Sequence, residues 1–451
     1  MEKRFFRGQK VIGMKRMWRI LYLAVPAVMT AAFFLCPAAQ ALSGAKQTGM
    51  ILGIWAYWML CAQLILTARI PAVERAFGQD KLLRFHGAAA LIAVVISIAH
   101  AFFMHRGWFT PRFRYGEVSL VLFIVLIALA LYFLSDLITD RSGAAAKLRK
   151  KLYAWKLTRY NAQLVLHDLT AAAVALLPFH AEARLKFFWD APLFAALIFL
   201  CAAVSLGCFL WHVFLRKPYL YRVREVIRDN STMTTVILAP EMSRVMPRLA
   251  GQFAYIKAED PAVPGEYHAI TASSAPDEPL AFTIKALGDW SEKVGDIRPG
   301  SLVKADGPYG RFCPALYPET PLVLIAGGVG ITPMMSIVRS LYHRGSPRRV
   351  LLLWCVRERS ELIDWDEWER MEKEMAGLTI VPVLSQEKTA GCAHGHFSES
   401  ILREALERSG ISPDEASFWY CGPGPLRASV HGVMKALGVP EGRFHEERFS
   451  L

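Results

Sequence analysis

The chain has 451 residues, of which 54% are hydrophobic and only 20% charged, yet it carries a net charge of +13. It is too apolar for an ordinary soluble protein, and its composition excludes a disordered, collagen-like or low-complexity chain. Eight cysteines with no C-x-x-C spacing argue against a zinc site or a disulfide framework.

Six long apolar runs lie before residue 216 and none after it: roughly 20–36, 48–68, 85–104, 118–135, 161–180 and 191–214. At about 1.5 Å per residue each is long enough, or nearly so, to span a bilayer. Six in a row predict a helical membrane bundle rather than buried soluble helices. Alternate loops are strongly biased in charge. The N-terminal tail, second and fourth loops hold 18 Lys and Arg, against 6 in the intervening loops. By the positive-inside rule both termini face the cytoplasm, in the plasma (cell inner) membrane. The same bias accounts for the basic excess without nucleic acid. Ala39-Gln40-Ala41 after the first run resembles a signal-peptide cleavage site. Cleavage would leave five helices and turn the C-terminal half outward, against the loop charges, so the first helix is read as retained.

Histidines stand inside two of these runs: His86 and His100 in the third, His167 and His180 in the fifth. Polar groups at membrane depth are costly and usually functional. Fourteen residues rise about 21 Å and return to within about 40° of the same face, so His86 and His100 point alike at two levels. Thirteen residues leave His167 and His180 about 140° out of phase on an ideal helix, which calls for a kink, assigned here to Pro178. Two imidazoles facing across a bundle can ligate a haem iron, and two matched pairs predict two stacked b-type haems. Hydrogen bonds between helices are the alternative.

Beyond residue 216 the pattern changes. Residues 219–310 read as short strands broken by Gly, Pro and Asp, which suggests an antiparallel β-barrel. From 321 onward strands and helices alternate, which indicates an α/β domain with a parallel sheet. Its first strand, Pro321–Ala326, runs into Gly327-Gly-Val-Gly-Ile-Thr-Pro333 and then a helix from Met334. Small residues there would let phosphate approach backbone N–H groups at a helix N-terminus, with Thr332 as cap and Pro333 in the first turn. Arg357 and Arg359 follow the second sheet strand, where a guanidinium suits a 2′-phosphate, although a solvated arginine fits as well. The fold class is thus a multidomain membrane protein: a six-helix transmembrane bundle (1–216), an antiparallel β-barrel (217–315) and a parallel-sheet α/β domain (316–451).

Taken together and in order, His268-Ala-Ile-Thr271, Gly288-Asp-Trp-Ser291, Asp306-Gly-Pro-Tyr-Gly310, Gly327–Pro333, Cys421-Gly-Pro423 and the terminal Phe449 resemble the NADPH oxidase and ferric reductase superfamily. The first half is similar to the ferric-reductase-type haem domain, and the second to a ferredoxin–NADP reductase module. The resemblance implies that His268 and Thr271 meet FAD, with Thr271 near the flavin ring, and that Trp290 and Ser291 lie near its pyrophosphate. It implies that Gly327, Gly328, Gly330, Thr332 and Pro333 form the nucleotide turn, that Cys421 and Gly422 flank the nicotinamide, and that Phe449 covers the flavin. Ala269 and Ile270 depart from the family's Pro and aromatic, so flavin stacking is weaker there. Cys421, Thr271 and Phe449 are then the expected catalytic residues, and His86, His100, His167 and His180 the iron ligands. The expected cofactors are FAD, two haems b and NADPH, or NADH. The expected activity is transmembrane electron transfer from cytoplasmic NAD(P)H, with dioxygen giving superoxide as the favoured acceptor. A ferric chelate or a periplasmic protein acceptor remains open.

Overall fold

The structure is a computed structural model that describes residues 2–104, 115–133, 142–152 and 160–447, without the side chains of 2–12, 80, 146, 150, 160 and 161. The chain divides into two compact units at Arg216/Lys217.

The first unit is helical, with α1 (Glu2–Phe34), α2 (Pro37–Gln40), α3 (Gly44–Thr67), α4 (Pro71–Phe77), α5 (Gln79–Met104), α6 (Tyr115–Phe133), α7 (Gly143–Leu152), α8 (Tyr160–Asp168), α9 (Thr170–Arg184) and α10 (Pro192–Leu210). α10 ends in a π-helical turn, Trp211–Leu215, that contains His212. Among the described residues six helical segments are long and apolar enough to cross a membrane; α8 and α9 together make one of them. Their interior is packed by residues such as Met29, Phe33, Phe188 and Phe194. Their outward faces carry exposed Val95, Phe102, Val121, Leu193 and Leu200, so these helices are apolar all round. α5 packs along α3, while α8 and α9 pack against α6.

The fifth run holds an interruption that the sequence did not suggest: helical assignment continues through Pro178 but breaks at Leu169, whose N–H donates to the Leu166 carbonyl at 3.1 Å. Such a three-residue bond winds the chain at about 120° per residue rather than 100°, so three steps add about 60° of rotation. This recovers a good part of the phase that His167 and His180 lack on an ideal helix.

The second unit opens with a six-stranded antiparallel sheet: β1 (Tyr219–Arg228), β2 (Met233–Pro240), β3 (Phe253–Glu259), β4 (His268–Thr271), β5 (Leu280–Lys285) and β6 (Leu302–Tyr309). Their order is β4-β3-β6-β1-β2-β5, and the single bridge Ala272–Phe282 ties the two edges, so the sheet curls almost into a barrel. Phe282, Leu238, Ala254 and Val294 fill it without exposure.

A second sheet follows with β7 (Leu322–Gly327), α11 (Ile331–His343), β8 (Val350–Val356), α12 (Trp365–Glu374), β9 (Leu378–Leu384), β10 (Ala393–His394), α13 (Glu399–Ser409), β11 (Ser417–Cys421), α14 (Gly424–Ala436) and β12 (Phe444–Glu447). All its strands are parallel, in the order β10-β9-β8-β7-β11-β12. β7, β8 and β11 are nearly continuous apolar runs because helices cover both faces. The strand order reverses between β7 and β11, and ligands bind at such a switch point, beyond the carboxyl ends of the strands.

The two sheets are bolted together through α11. Ser336 Oγ donates to the Ser274 carbonyl at 2.8 Å, and Arg339 Nη1 to the Ser273 carbonyl at 3.1 Å. The Arg339 guanidinium also holds Glu367 (2.9 Å) and Asp364 (3.1 Å). Arg339→Met strands both carboxylates. We expect a loss of about 3 kcal/mol, the lower end for a broken buried pair because the carboxylates keep some water. Denaturant unfolding of the variant checks this.

Candidate functional site

Between the helices, the structure brings the four histidines into two pairs. The His86 and His167 ring centres lie 6.0 Å apart with planes at 87°, and those of His100 and His180 lie 6.3 Å apart, also at 87°. A metal–imidazole bond is about 2.0–2.1 Å and the ligating nitrogen lies roughly 1.1 Å from the ring centre, so two rings gripping one metal have centres about 6.2–6.4 Å apart. The His100/His180 spacing falls in that range, and the His86/His167 spacing lies just below it. Among the described residues no group of three or more His, Cys, Asp or Glu gathers as a metal cluster. A haem would need only two histidines from the protein, which each pair would supply.

The pairs differ in their surroundings. His100 Nδ1 lies 2.7 Å from the Gly49 carbonyl, which places the ring proton on Nδ1. At the other level, Nδ1 of His86 and of His167 are buried without a hydrogen-bond partner. Buried orphan nitrogens are rare, and they mark a place whose polar needs the protein alone does not meet.

The residues expected to meet FAD lie on the near-barrel. β4 is an edge strand paired with β3. Its His268 ring stacks on Trp290, with centres 4.1 Å apart and planes at 22°. Trp290 Nε1 and His268 Nε2 are both buried without a partner. A pyrophosphate is all acceptor, so two adjacent ring nitrogens of this kind fit it. Thr271 ends β4, buried, while Ile270 packs against the barrel core. Ser291 is engaged in its own turn: its Oγ accepts from the N–H of Leu287 (2.9 Å) and Gly288 (3.0 Å).

Burial lowers the His268 pKa from 6.5 to about 4. Below 6.5 the unfolded chain takes up a proton that the folded chain refuses, so stability is lost as pH falls from 6.5 toward 4. In the FAD-free chain, His268→Gln should flatten that part of the stability profile. An unchanged acid limb would show that other groups cause it.

The glycine turn sits at the switch point, and two of its glycines also serve close packing. A Cβ on Gly330 would fall 2.1 Å from the Cys421 carbonyl oxygen, and one on Gly327 would fall 2.6 Å from Pro423 Cδ. These two residues let the β7 turn close against the Cys421–Gly422 turn. Gly328, at φ +53°, faces open space, its nearest neighbour Lys285 Nζ at 3.8 Å, and is the one with room for a ligand. Thr332 does not cap the helix: α11 begins at Ile331, three residues earlier than expected, and the Thr332 hydroxyl donates to the Val329 carbonyl at 3.2 Å. Pro333 lies in the first turn, buried.

Cys421 ends β11, fully buried, its thiol pushed well above the usual range by burial and then by the Glu447 carboxylate. It is therefore a neutral thiol beside the turn. Arg357 and Arg359 are exposed beyond β8; the Arg357 N–H donates to Glu361 Oε1 at 3.0 Å and the Arg359 N–H to Glu387 Oε2 at 2.8 Å. Glu447 lies beside Gly310 at the end of β6. Phe449, two residues on, lies outside the described residues.

Sequence reasoning missed Ser336 and Arg339, whose contacts arise only in the folded unit. It also missed Gly49, Gly53 and Gly116. The Gly49-x-x-x-Gly53 spacing in an apolar run was a usable signal of close helix contact.

Residues 324–432 match the family described as the oxidoreductase NAD-binding domain. The stachydrine N-demethylase reductase subunit of Rhizobium meliloti is 28% identical over 44% of this chain and 58% of its own length. The flavohemoprotein of Halalkalibacterium halodurans is 27% identical over 49% and 57%. This chain thus spans little more than half of these relatives. Among solved structures, the FAD/NAD-binding domain of the Vibrio cholerae nitric oxide dioxygenase is 24% identical, covering 52% of this chain and all of that one, at a TM-score of 0.46. A cytochrome P450 reductase of Amycolatopsis is 26% identical over 52% and 70%, at 0.45. The near-barrel, the parallel sheet whose residues 324–432 match the oxidoreductase NAD-binding domain, and the curated relatives over the same half give the second unit the make-up of a ferredoxin–NADP reductase-type FAD/NAD-binding module.

Proposed function

We propose that the chain is a transmembrane oxidoreductase of the NADPH oxidase and ferric reductase type. It carries electrons from cytoplasmic NAD(P)H to an acceptor across the bilayer, with FAD and two b-type haems as cofactors and dioxygen, giving superoxide, as the favoured acceptor. The observation that carries this reading is the pair of metal-spaced imidazole couples in a helical unit covalently joined to a reductase module. When bound, FAD exchanges the two electrons of a hydride for single electrons, and haem iron carries those one at a time.

The chain's own residues supply position and access. His86 with His167, and His100 with His180, hold the irons. Held by two histidines, each haem would supply one-electron transfer rather than a place for the acceptor to bind on iron. His268, Thr271 and Trp290 hold the flavin nucleotide. Gly328 leaves room for NAD(P)H, and Arg357 and Arg359 favour the 2′-phosphate of NADPH. The exposed apolar faces of the six helices and the 18-to-6 loop charge bias support a membrane location with both termini cytoplasmic.

The test is purification in detergent, a haem-to-protein ratio with a dithionite-reduced spectrum, and an acceptor screen. We expect two b-type haems per chain and NAD(P)H oxidation with oxygen alone, read as reduction of an indicator that superoxide dismutase suppresses. Activity only with a ferric chelate, or only with an added periplasmic protein, assigns a different acceptor. A chain without haem overturns the proposal.

A further inference from the structure

We infer that Gly53 and Gly116 are positioning residues for the His100/His180 iron site: two helix backbones brought up behind the two imidazoles, where any larger residue would push the rings off the metal. This rests on the haem reading proposed above. A Cβ on Gly53 of α3 would lie 2.6 Å from His100 Nδ1 and 2.7 Å from its Cε1. A Cβ on Gly116 of α6 would lie 2.5 Å from both Nδ1 and Cε1 of His180. Each backbone therefore meets the same Nδ1–Cε1 edge of its histidine. The arrangement is local to this pair. Gly87, next to His86, has nothing within 4 Å of its Cβ position, nor has Gly207 in α10.

The backbones have little freedom to retreat. Gly49, one turn before Gly53, accepts the His100 Nδ1 proton, and its own Cβ position lies 2.9 Å from Phe103 Cβ. On the other side, Ser119 of α6 donates from a buried hydroxyl to the Ala173 carbonyl of α9 at 3.2 Å, and Glu117 pairs with Arg184 at 3.7 Å. An imidazole is a mobile side chain and can swing from an added methyl when it holds nothing. Fixed to iron it cannot. The glycines are therefore required by the metal-loaded state and not by the helices.

The experiment compares full-length wild type, Gly53→Ala, Gly116→Ala and the control Gly87→Ala in detergent. Haem-to-protein ratio and low-spin EPR are read alongside helix content by circular dichroism. Gly53→Ala and Gly116→Ala should keep wild-type helix content, bind half the haem and lose one of two EPR signals; Gly87→Ala should keep both. In a His100→Ala background, Gly53→Ala should change nothing further, since the ring it strikes is gone; this double variant decides the matter even if the single one folds poorly. Full haem with both signals in the single variants overturns the inference while leaving the haem reading intact. So does a further loss in the double variant. A wild type without haem overturns both.

Discussion

His100→Ala and His180→Ala should each remove the same single haem, leave the other in place and reduce transfer to an external acceptor by more than about 100-fold, because losing even a supporting partner of a metal ligand costs about 10–100-fold. The two effects should not add. If the rings, 6.3 Å apart, serve one iron as proposed, the double variant loses no more than either single one. Reduction of the flavin by NAD(P)H should persist at wild-type rate, since His268, Trp290 and the glycine turn belong to the other structural unit. Stopped-flow flavin bleaching beside a haem-to-protein ratio separates these readouts. Full haem content in both variants would defeat the ligand assignment.

Gly330→Ala should do the reverse. The added methyl would lie 2.1 Å from the Cys421 carbonyl oxygen and 2.6 Å from its carbon, both backbone atoms at the end of β11. Neither a rotamer change nor a small breath of the turn relieves that, so either α11 or β11 must shift. Overpacking in a tight core costs about 1–3 kcal/mol and sometimes more, and an encounter with backbone belongs at the top of that range. The crevice at the switch point closes or opens with the shift, so NAD(P)H-dependent flavin reduction should fall sharply while haem content stays at wild type. Gly328→Ala is the comparison. Its methyl meets open space, and its cost is the left-handed φ of +53°, about 1–2 kcal/mol. If Gly330→Ala unfolds no earlier than Gly328→Ala, the close approach of the two turns is not a constraint.

Patterns repeated along the chain were legible in the sequence. All-round apolar runs announce helices that bury or face lipid on every side, and β7 follows the apolar strand read at 321–326. The histidine spacing in the third run directly encodes two levels, because rise and rotation per residue are fixed in a helix. β10 and β12 were not legible: they are two and four residues long, with polar composition, and exist because a neighbouring strand offers a free edge.

What the sequence by itself determined is therefore periodic and local: six helices able to span a bilayer, four histidines at two depths, and a strand–glycine–helix turn after a buried strand. Tertiary structure alone decided where the fifth helix breaks its winding, which glycines serve packing and which leave room for a ligand, and that α3 and α6 stand directly behind the imidazoles of one pair. Those outcomes depend on distances between segments far apart in the chain, and no single segment carries the volume of the neighbour it will meet.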